Sequence, residues 1–566
     1  MNFIHILTNI SLVLPLFIFF LLGKTAVGED FPIFFGLTLQ AVAGSVILLY
    51  ARGYEHKNQI KIYTGYLIFF LGLSGSYLSG KTFLLLFFWE ISTVGAIFIY
   101  LGGEFSEKAI KSIVNLFLAS SISMILLCVW IFLPDNDRTG FYFLLAALML
   151  KSAFSGLHFW LPPAHSGPPA HGSAAYSGLM INLPILLFSK YSAGIQDLKN
   201  VEILILFSGL GVFMGGVTSF FNTDIKKSLA YSTIENSNFL WLCVLAAEIW
   251  GQEQNPELKG LGNSFLFLFF TAMAHHSLSK TFQFLSFGYI AKKAGSTVID
   301  ECRGFGRKLG LSFLSKSAGT FSFLGIPGSP GFIAECSFLY LASVIISLPV
   351  SKSEIILPSL VFITIGLAAG SAAHMKLYLS MNLSVSPRKE ETVSHSETVN
   401  TSLNILGYMI ILFTPVLGAM LLFYEPVKAS VPAYFSEWML DVCSAGIAVI
   451  IFSAVYAVSA KRNRVESRVL WDCGNGYRGT EISIPASVIS DPLFRSMGTY
   501  LHTDDGESRI DRGFFSLIKS VLNLGRFWNR LLESGDLANY LFFSAAALLV
   551  SVAVLLVYQT VSGFRL

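Results

Sequence analysis

Four apolar stretches of this 566-residue chain carry ionisable side chains: Glu90 in FLLLFFWEISTVGAIF, Lys151 in LLAALMLKSAFSGL, His275, His276 and Lys280 in AMAHHSLSKTFQFL, and Glu335 in GSPGFIAECSFLYL. An ion at the centre of a bilayer costs about 3 kcal/mol on insertion scales, so acids and bases that recur in this way point to an intramembrane proton or ion path. Isolated buried ion pairs are the plainer reading of any one of them. His276 and Lys280 stand four residues apart, on one face of a helix. An imidazole, with an ordinary pKa of about 6.5, can carry a proton in either direction. His275 is adjacent and faces elsewhere, which reads as helix packing or contact with water.

The elements that hold these residues follow from composition. Apolar residues make up 54% of the chain and aromatic residues 14%, the mean hydropathy is +0.64, and only 13% of residues are charged. Soluble domains carry about 25% charged residues. The chain therefore reads as an all-α polytopic membrane protein. Apolar stretches of roughly 20 residues, enough for a hydrocarbon core about 30 Å thick, recur from Phe3 to Tyr558. The first, Ile4 to Leu22, lacks a basic leading region and a small-residue cleavage site, which predicts a retained helix rather than a removed signal peptide. A net charge of +3 gives no reason to expect a nucleic-acid partner. The six cysteines, Cys128, Cys243, Cys302, Cys336, Cys443 and Cys473, form no CxxC pair, so no local iron–sulfur or zinc framework is expected. There is no Walker A loop, nor a GxGxxG motif after a strand. No cofactor is expected in this chain.

Helices are predicted near 3–23, 32–50, 62–80, 82–101, 110–133, 140–161, 174–190, 202–221, 227–247 and 263–291. The segment 309–350 is interrupted by GIPGSPGF, a break that survives in a membrane only where protein or a water cavity satisfies the freed backbone groups. It counts as one broken crossing. With 355–380, 403–424, 434–459 and 537–559 the total is about 15 crossings. Cytoplasmic loops are enriched in Lys and Arg. With the N-terminus inside, Arg52, Lys57 and Lys61, then Lys292, Lys293, Arg303, Arg307 and Lys308, then Arg388 and Lys389, and finally Lys461, Arg462, Arg464 and Arg468 all fall inside, while Asp135, Asp137, Glu253 and Glu257 fall outside. Counting 309–350 as two crossings would push the last two basic clusters out. Residues 460–535 form the one long polar tract, and within it GFFSLIKSVLNLGRFWNRLLES gathers its apolar side chains largely on one face. Such an amphipathic helix suits a membrane surface or a neighbouring subunit; a solvated linker helix is the alternative.

Three blocks carry a family resemblance: LKSAFSGLHFWLPPAHSGPPAHGSAAYSGLMIN (150–182), NTDIKKSLAYSTIENSNF (222–239) and HHSLSKTFQFLSFG (275–288). In this order they resemble the proton-translocating antiporter family, which contains the antiporter-like subunits of respiratory complex I, the large subunits of multisubunit sodium/proton antiporters and the membrane subunits of energy-converting hydrogenases. The resemblance covers roughly residues 30–425. PPAHGSA around His171, AYSTIEN around Glu235, VLWDCGNGY (469–477) and LLESGDLANYLFF (531–543) are similar to the hydrogenase-4 component B and formate hydrogenlyase branch.

The resemblance implies two inverted five-helix repeats, 62–190 and 202–380, with ion sites at broken helices near the midplane. The N-terminal helices (1–61) precede them. The C-terminal helices (403–459), the tail (460–535) and a final transmembrane helix (537–566) follow. One helix of the family is missing before YARGYEHKN (50–58), which agrees with an N-terminus inside.

The resemblance also implies a proton relay. Glu90 matches the family's essential glutamate and Lys151 the lysine that it faces. Closeness favours the charged forms of such a pair and burial the neutral ones, so separating them would release the lysine proton. A static salt bridge is the alternative, although buried pairs are weak evidence for stability. His276 and Lys280 match relay positions in the other half, and Glu335 matches the terminal residue of the relay; a capping role is its alternative. Where many relatives carry a second lysine this chain has Asn182, whose amide cannot titrate and can only bridge to water. Lys226 and Lys227, at a helix start, read as interfacial anchors. Glu235 is a candidate for proton access. So are His158, His165 and His171 in LHFWLPPAHSGPPAH, whose irregular spacing without nearby carboxylates argues against a metal site.

The expected function is a proton-translocating, non-catalytic subunit of a hydrogenase-type or complex I-like assembly in the cytoplasmic (inner) membrane. Its partners would be other membrane subunits and soluble redox subunits that hold iron–sulfur and nickel–iron centres. A secondary cation/proton antiporter or an ion-coupled component of bicarbonate uptake would share the fold without a redox partner. A structural membrane arm whose path has lapsed at Asn182 is the third reading.

Overall fold

Apolar runs place large side chains such as Phe83, Leu84, Phe87, Leu412, Val416 and Phe452 on the outside of the molecule, while many serines, threonines and asparagines, with Lys151, Glu235 and Lys280, are buried. That arrangement is the one a hydrocarbon solvent selects. The computed structural model describes residues 31–460 apart from 55–57, 104–106, 135–136, 193–202, 349–355, 385–394 and 424–431. The expected helix at 3–23, the polar tail with its amphipathic helix, and the final helix at 537–559 lie outside the described residues. Nine helical stretches among the described residues are long and apolar enough to cross a membrane. The all-helical, polytopic expectation holds, and the count of about 15 crossings extends over segments outside the described residues.

In chain order, α1 is Phe31–Tyr54, α2 Gln59–Leu78, α3 Phe83–Leu101, α4 Glu107–Phe132 and α5 Arg138–Lys151. A short 3-10 turn, His158–Trp160, leads to α6 Leu161–Ser166. Then α7 Ala170–Ala175 runs through a π turn, Tyr176–Met180, into α8 Asn182–Tyr191. The second half comprises α9 Ile203–Phe221, α10 Ile225–Gly251, α11 Pro256–Ala294, a turn-length α12 Phe305–Lys308, α13 Phe313–Phe323, α14 Pro330–Ser347 and α15 Ile356–Tyr378, which ends in a π turn, Leu379–Leu383. Two helices, α16 Glu397–Phe423 and α17 Ala433–Ala460, complete the described chain.

The expected interruption of 309–350 is present: α13 stops at Phe323 and α14 starts at Pro330. The freed groups find partners. Ser371 donates to the Phe323 carbonyl at 2.9 Å, Thr414 donates to the Gly328 carbonyl at 2.8 Å, and Ser329 caps α14 by accepting from the Phe332 amide. Gly325 and Gly328 take φ of +58° and +96°, which a residue with a Cβ avoids.

A second break corrects the sequence reading. The expected helix 140–161 ends at Lys151, and the chain turns through Ala153 with φ +56° before continuing as α6. Residues of α10 satisfy the opened backbone: Asn238 accepts from the Ser155 amide at 2.8 Å, and Ser237 donates to the Ser152 carbonyl. Trp160 donates to the Leu150 carbonyl at 2.8 Å. The break could form because α10 supplies these partners. The segment expected at 263–291 is likewise longer, since α11 has 39 residues and spans about 58 Å at 1.5 Å per residue.

Candidate functional site

Lys151, the last residue of α5, is fully buried where that helix breaks. Its ammonium donates to Ser120 Oγ of α4 at 2.5 Å and to Thr93 Oγ1 of α3 at 2.8 Å, with Thr93 and Ser120 themselves 2.5 Å apart. Glu90 is half-buried, one turn before Thr93, and its Oε1 accepts from Ser120 at 3.3 Å. Glu90 and Lys151 therefore form no direct ion pair, as a static salt bridge would require. Ser120 links them. Since an ammonium can only donate, the hydroxyl accepts from Lys151 and has its own proton free for the carboxylate. Ser120→Ala should cut the link without disturbing the helices, lowering proton translocation about tenfold or more in membrane vesicles. An unchanged rate would show that the bridge carries nothing.

Asn182 lies where the π turn meets α8. A π turn leaves backbone carbonyls without their usual helical donors. Asn182 Nδ2 donates to the Gly178 carbonyl at 2.8 Å, Ser277 donates to the same oxygen at 2.7 Å, and His276 Nε2 stands 3.2 Å from the neighbouring Ser177 carbonyl. The turn thus gathers Asn182 and His276 on adjacent peptide oxygens. Asn182 Oδ1 and His276 Nδ1 are buried with no hydrogen-bond partner among the described residues. No hydrogen bond joins Asn182 to Lys151, so the structure brings Asn182 to the His276 side of the path.

Lys280 is fully buried in α11 and donates to Ser232 Oγ of α10 at 2.5 Å. The same hydroxyl lies 2.7 Å from Nε2 of His374 on α15, a residue the sequence reading did not single out. Nearby, a cavity of about 30 Å³ is lined by Glu235, Asn236, His275, Phe323, Glu335 and Ser371. That volume holds about one or two water molecules. Glu235, the candidate for proton access, shares this cavity with Glu335. It is 3% exposed, and its Oε2 has no hydrogen-bond partner among the described residues. Glu335 is half-buried behind Gly325, where a Cβ would stand 2.2 Å from its Oε2. His275, expected to face away from the chemistry, also lines the cavity, with Nδ1 2.9 Å from Ser322 Oγ.

The three histidines of the Pro-rich connection do not converge on one point. His165 is fully buried, stacks on Phe284 at 4.9 Å and has neither ring nitrogen hydrogen-bonded among the described residues. His171 Nδ1 lies 2.8 Å from the Tyr66 hydroxyl. His158 is buried near the start of α6. Lys226, read as an interfacial anchor, reaches inward to donate to the Pro168 carbonyl at 2.6 Å.

Residues 79–348 match the family described as NADH:quinone oxidoreductase/Mrp antiporter, transmembrane. Across those residues the chain is similar to this antiporter-type membrane domain. Glu90, Lys151, Asn182, Glu235, His276, Lys280 and Glu335 all fall inside it, and His374 falls outside. A putative antiporter subunit mnhA2 of Staphylococcus saprophyticus is 24% identical over 338 residues, and its counterpart from Staphylococcus aureus strain JH9 is 26% identical over 342. Each match covers 55% of this chain and 42% of the relative, so the likeness spans less than half of those proteins. Among solved structures, the Mrp complex from Dietzia superposes with a TM-score of 0.57 at 15% identity, covering 77% of this chain and 93% of that one. The membrane-bound sulfane sulfur reductase, an archaeal respiratory membrane complex, gives 0.59 at 16% identity, covering 79% and 93%. These likenesses show the shared fold of an antiporter-type, multi-pass membrane subunit.

Proposed function

We propose that this chain is a proton-translocating subunit of a multi-subunit membrane assembly, with protons moving through Glu90, Lys151, water beside Asn182, His276, Lys280 and Glu335. The observation that carries the reading is the buried Lys151–Ser120–Glu90 bridge at a helix break. Through the hydroxyl a proton can pass between ammonium and carboxylate without their touching. When Glu90 loses its charge or moves away, a buried ammonium is left uncompensated, a costly state that sends the proton onward. Asn182 does not titrate, so water bonded to its free Oδ1 and to His276 Nδ1 would carry the proton across. Glu235 lies with Glu335 beside the small cavity, where a water can exchange protons between the two carboxylates. His165, His171 and His158 remain the proposed access route.

The proposed architecture is two inverted five-helix repeats, 62–190 and 202–380. In its support, the fourth segment of each run is a broken helix, α5–α6 and α13–α14, and the fifth holds a π turn. Five crossings are odd in number, so consecutive repeats of this kind are inverted. The proposed setting is the cytoplasmic (inner) membrane, with the N-terminus inside and partner subunits of the hydrogenase type supplying iron–sulfur and nickel–iron centres.

A second reading, cation/proton antiport without redox partners, is favoured by the relatives' description as putative antiporter subunits. Affinity purification of the tagged full chain from its native membrane separates the two. Co-purifying iron, nickel and redox subunits, with proton uptake into vesicles on adding hydrogen or formate, support the first. Sodium-dependent proton exchange by an assembly free of those metals would reject it in favour of the second.

A further inference from the structure

We propose that His374 is a further proton-carrying residue, a branch from Lys280 reached through the Ser232 hydroxyl. This rests on the relay reading above. His374 is 1% exposed, and Ser232 and Lys280 are fully buried. The two short contacts, 2.5 Å from Lys280 Nζ to Ser232 Oγ and 2.7 Å from Ser232 Oγ to His374 Nε2, form a continuous chain across α11, α10 and α15. A charged Lys280 can only donate, so Ser232 accepts from it. The serine's one proton can turn to Glu235, with which Ser232 also bonds, or to His374; the relay-competent state is the second, with His374 Nε2 bare and Nδ1 protonated.

From that state one concerted shift balances. The Lys280 N–H proton moves to Ser232 Oγ as the serine proton moves to His374 Nε2, leaving a neutral amine, an intact hydroxyl and an imidazolium. The charge has crossed to α15 with no co-reactant. The imidazolium then passes its Nδ1 proton to a water molecule at that nitrogen while keeping the new one on Nε2; Nδ1 is buried with no hydrogen-bond partner among the described residues, so that water is its acceptor.

One ring holds the group together. Phe323, the last residue of α13 at the helix break, stacks against His374 at 4.3 Å, lies 4.5 Å beneath the Lys280 ammonium and meets His275 edge-on at 4.6 Å. An aromatic face stabilises a cation on either side of it, so the charge keeps a favourable contact whether it sits on Lys280 or on His374. The Phe323 carbonyl accepts from Ser371, one turn before His374 on α15. Movement at the break would therefore shift ring and histidine together.

The test is the initial rate of proton uptake in inverted vesicles holding the full assembly, energised by whatever drives the unaltered protein and normalised to the amount of chain in the membrane. His374→Gln keeps an acceptor for the Ser232 hydroxyl but cannot carry a proton, so a purely structural histidine would leave the rate intact. The expectation is a loss of about tenfold or more in both His374→Gln and Ser232→Ala, with Ser232→Thr, which retains the hydroxyl, close to the unaltered rate. A rate within about twofold of the unaltered protein in either loss variant would overturn the proposal. Should His374→Gln not accumulate, Ser232→Ala alone decides. Lys280→Met separates the two levels: if it too leaves the rate unchanged the relay reading itself fails, whereas loss there with His374→Gln unaffected removes only the branch.

Discussion

Replacing Lys151 with methionine should nearly abolish proton translocation while the chain still folds into the membrane. Methionine matches the length of the lysine stem and fills the same fully buried space, so packing against Trp89, whose ring lies 5.6 Å from the ammonium, is kept. What disappears is the charge that binds Ser120 and Thr93 and is linked through Ser120 to Glu90. With no proton to hand on, the rate should fall about a hundredfold, the scale of a lost acid–base group. Lys151→Arg should rescue little, because a planar guanidinium that keeps its proton cannot take part in a relay. Dye-detected proton uptake in vesicles, scaled to immunoblot signal, measures both. Full coupling in Lys151→Met would mean that protons take another route.

The second large effect is on stability. Gly215 of α9 packs directly on α10, and a Cβ there would stand 2.4 Å from the backbone nitrogen of Glu235 and 2.8 Å from its Cα. Backbone cannot rotate aside as a side chain can, so Gly215→Ala must push the two helices apart. Overpacking of this kind costs about 1–3 kcal/mol. Thermal unfolding of the detergent-solubilised protein should show a lowered midpoint, whereas Gly251→Ala, which meets nothing within 4 Å, should leave it unchanged. Because Gly215 rests on Glu235 itself, the same change should also slow translocation. Equal melting of the two variants would refute the close packing of α9 on α10.

Several features of the site were legible because their signals are local. GIPGSPGF announces a helix break in its own glycines and prolines. Lys151, His276 and Lys280 declare themselves as charges or titratable groups in apolar runs. The break after Lys151 was hidden, since KSAFSG contains one glycine and no proline, and its backbone is satisfied by Asn238, 83 residues further along. Reading 140–161 as one helix was the reasonable local answer; α10 overrode it. Glu235 reads as a candidate for proton access, further into its helix than Lys226 and Lys227, and only the helix packing shows that it lies beside Glu335. His275 neighbours His276 on a different face, which reads as packing or contact with water, and that face looks onto the other helix break, where it lines the small cavity.

His374 illustrates the limit most clearly. In AAGSAAHMKLY it is one histidine with no partner in view, and its meaning comes from Ser232, 142 residues away in sequence. The sequence by itself determined that this is a multi-pass, all-helical membrane protein with buried charges in four segments. Those facts depend on composition and hydropathy, which each segment carries alone. Only the tertiary structure decided which charges meet: that a serine stands between Glu90 and Lys151, that a π turn draws Asn182 to His276, and that Lys280 reaches His374. The reason is physical. Inside a membrane every buried polar group must find its partner on another helix or in trapped water, and helix packing alone determines which helix that is.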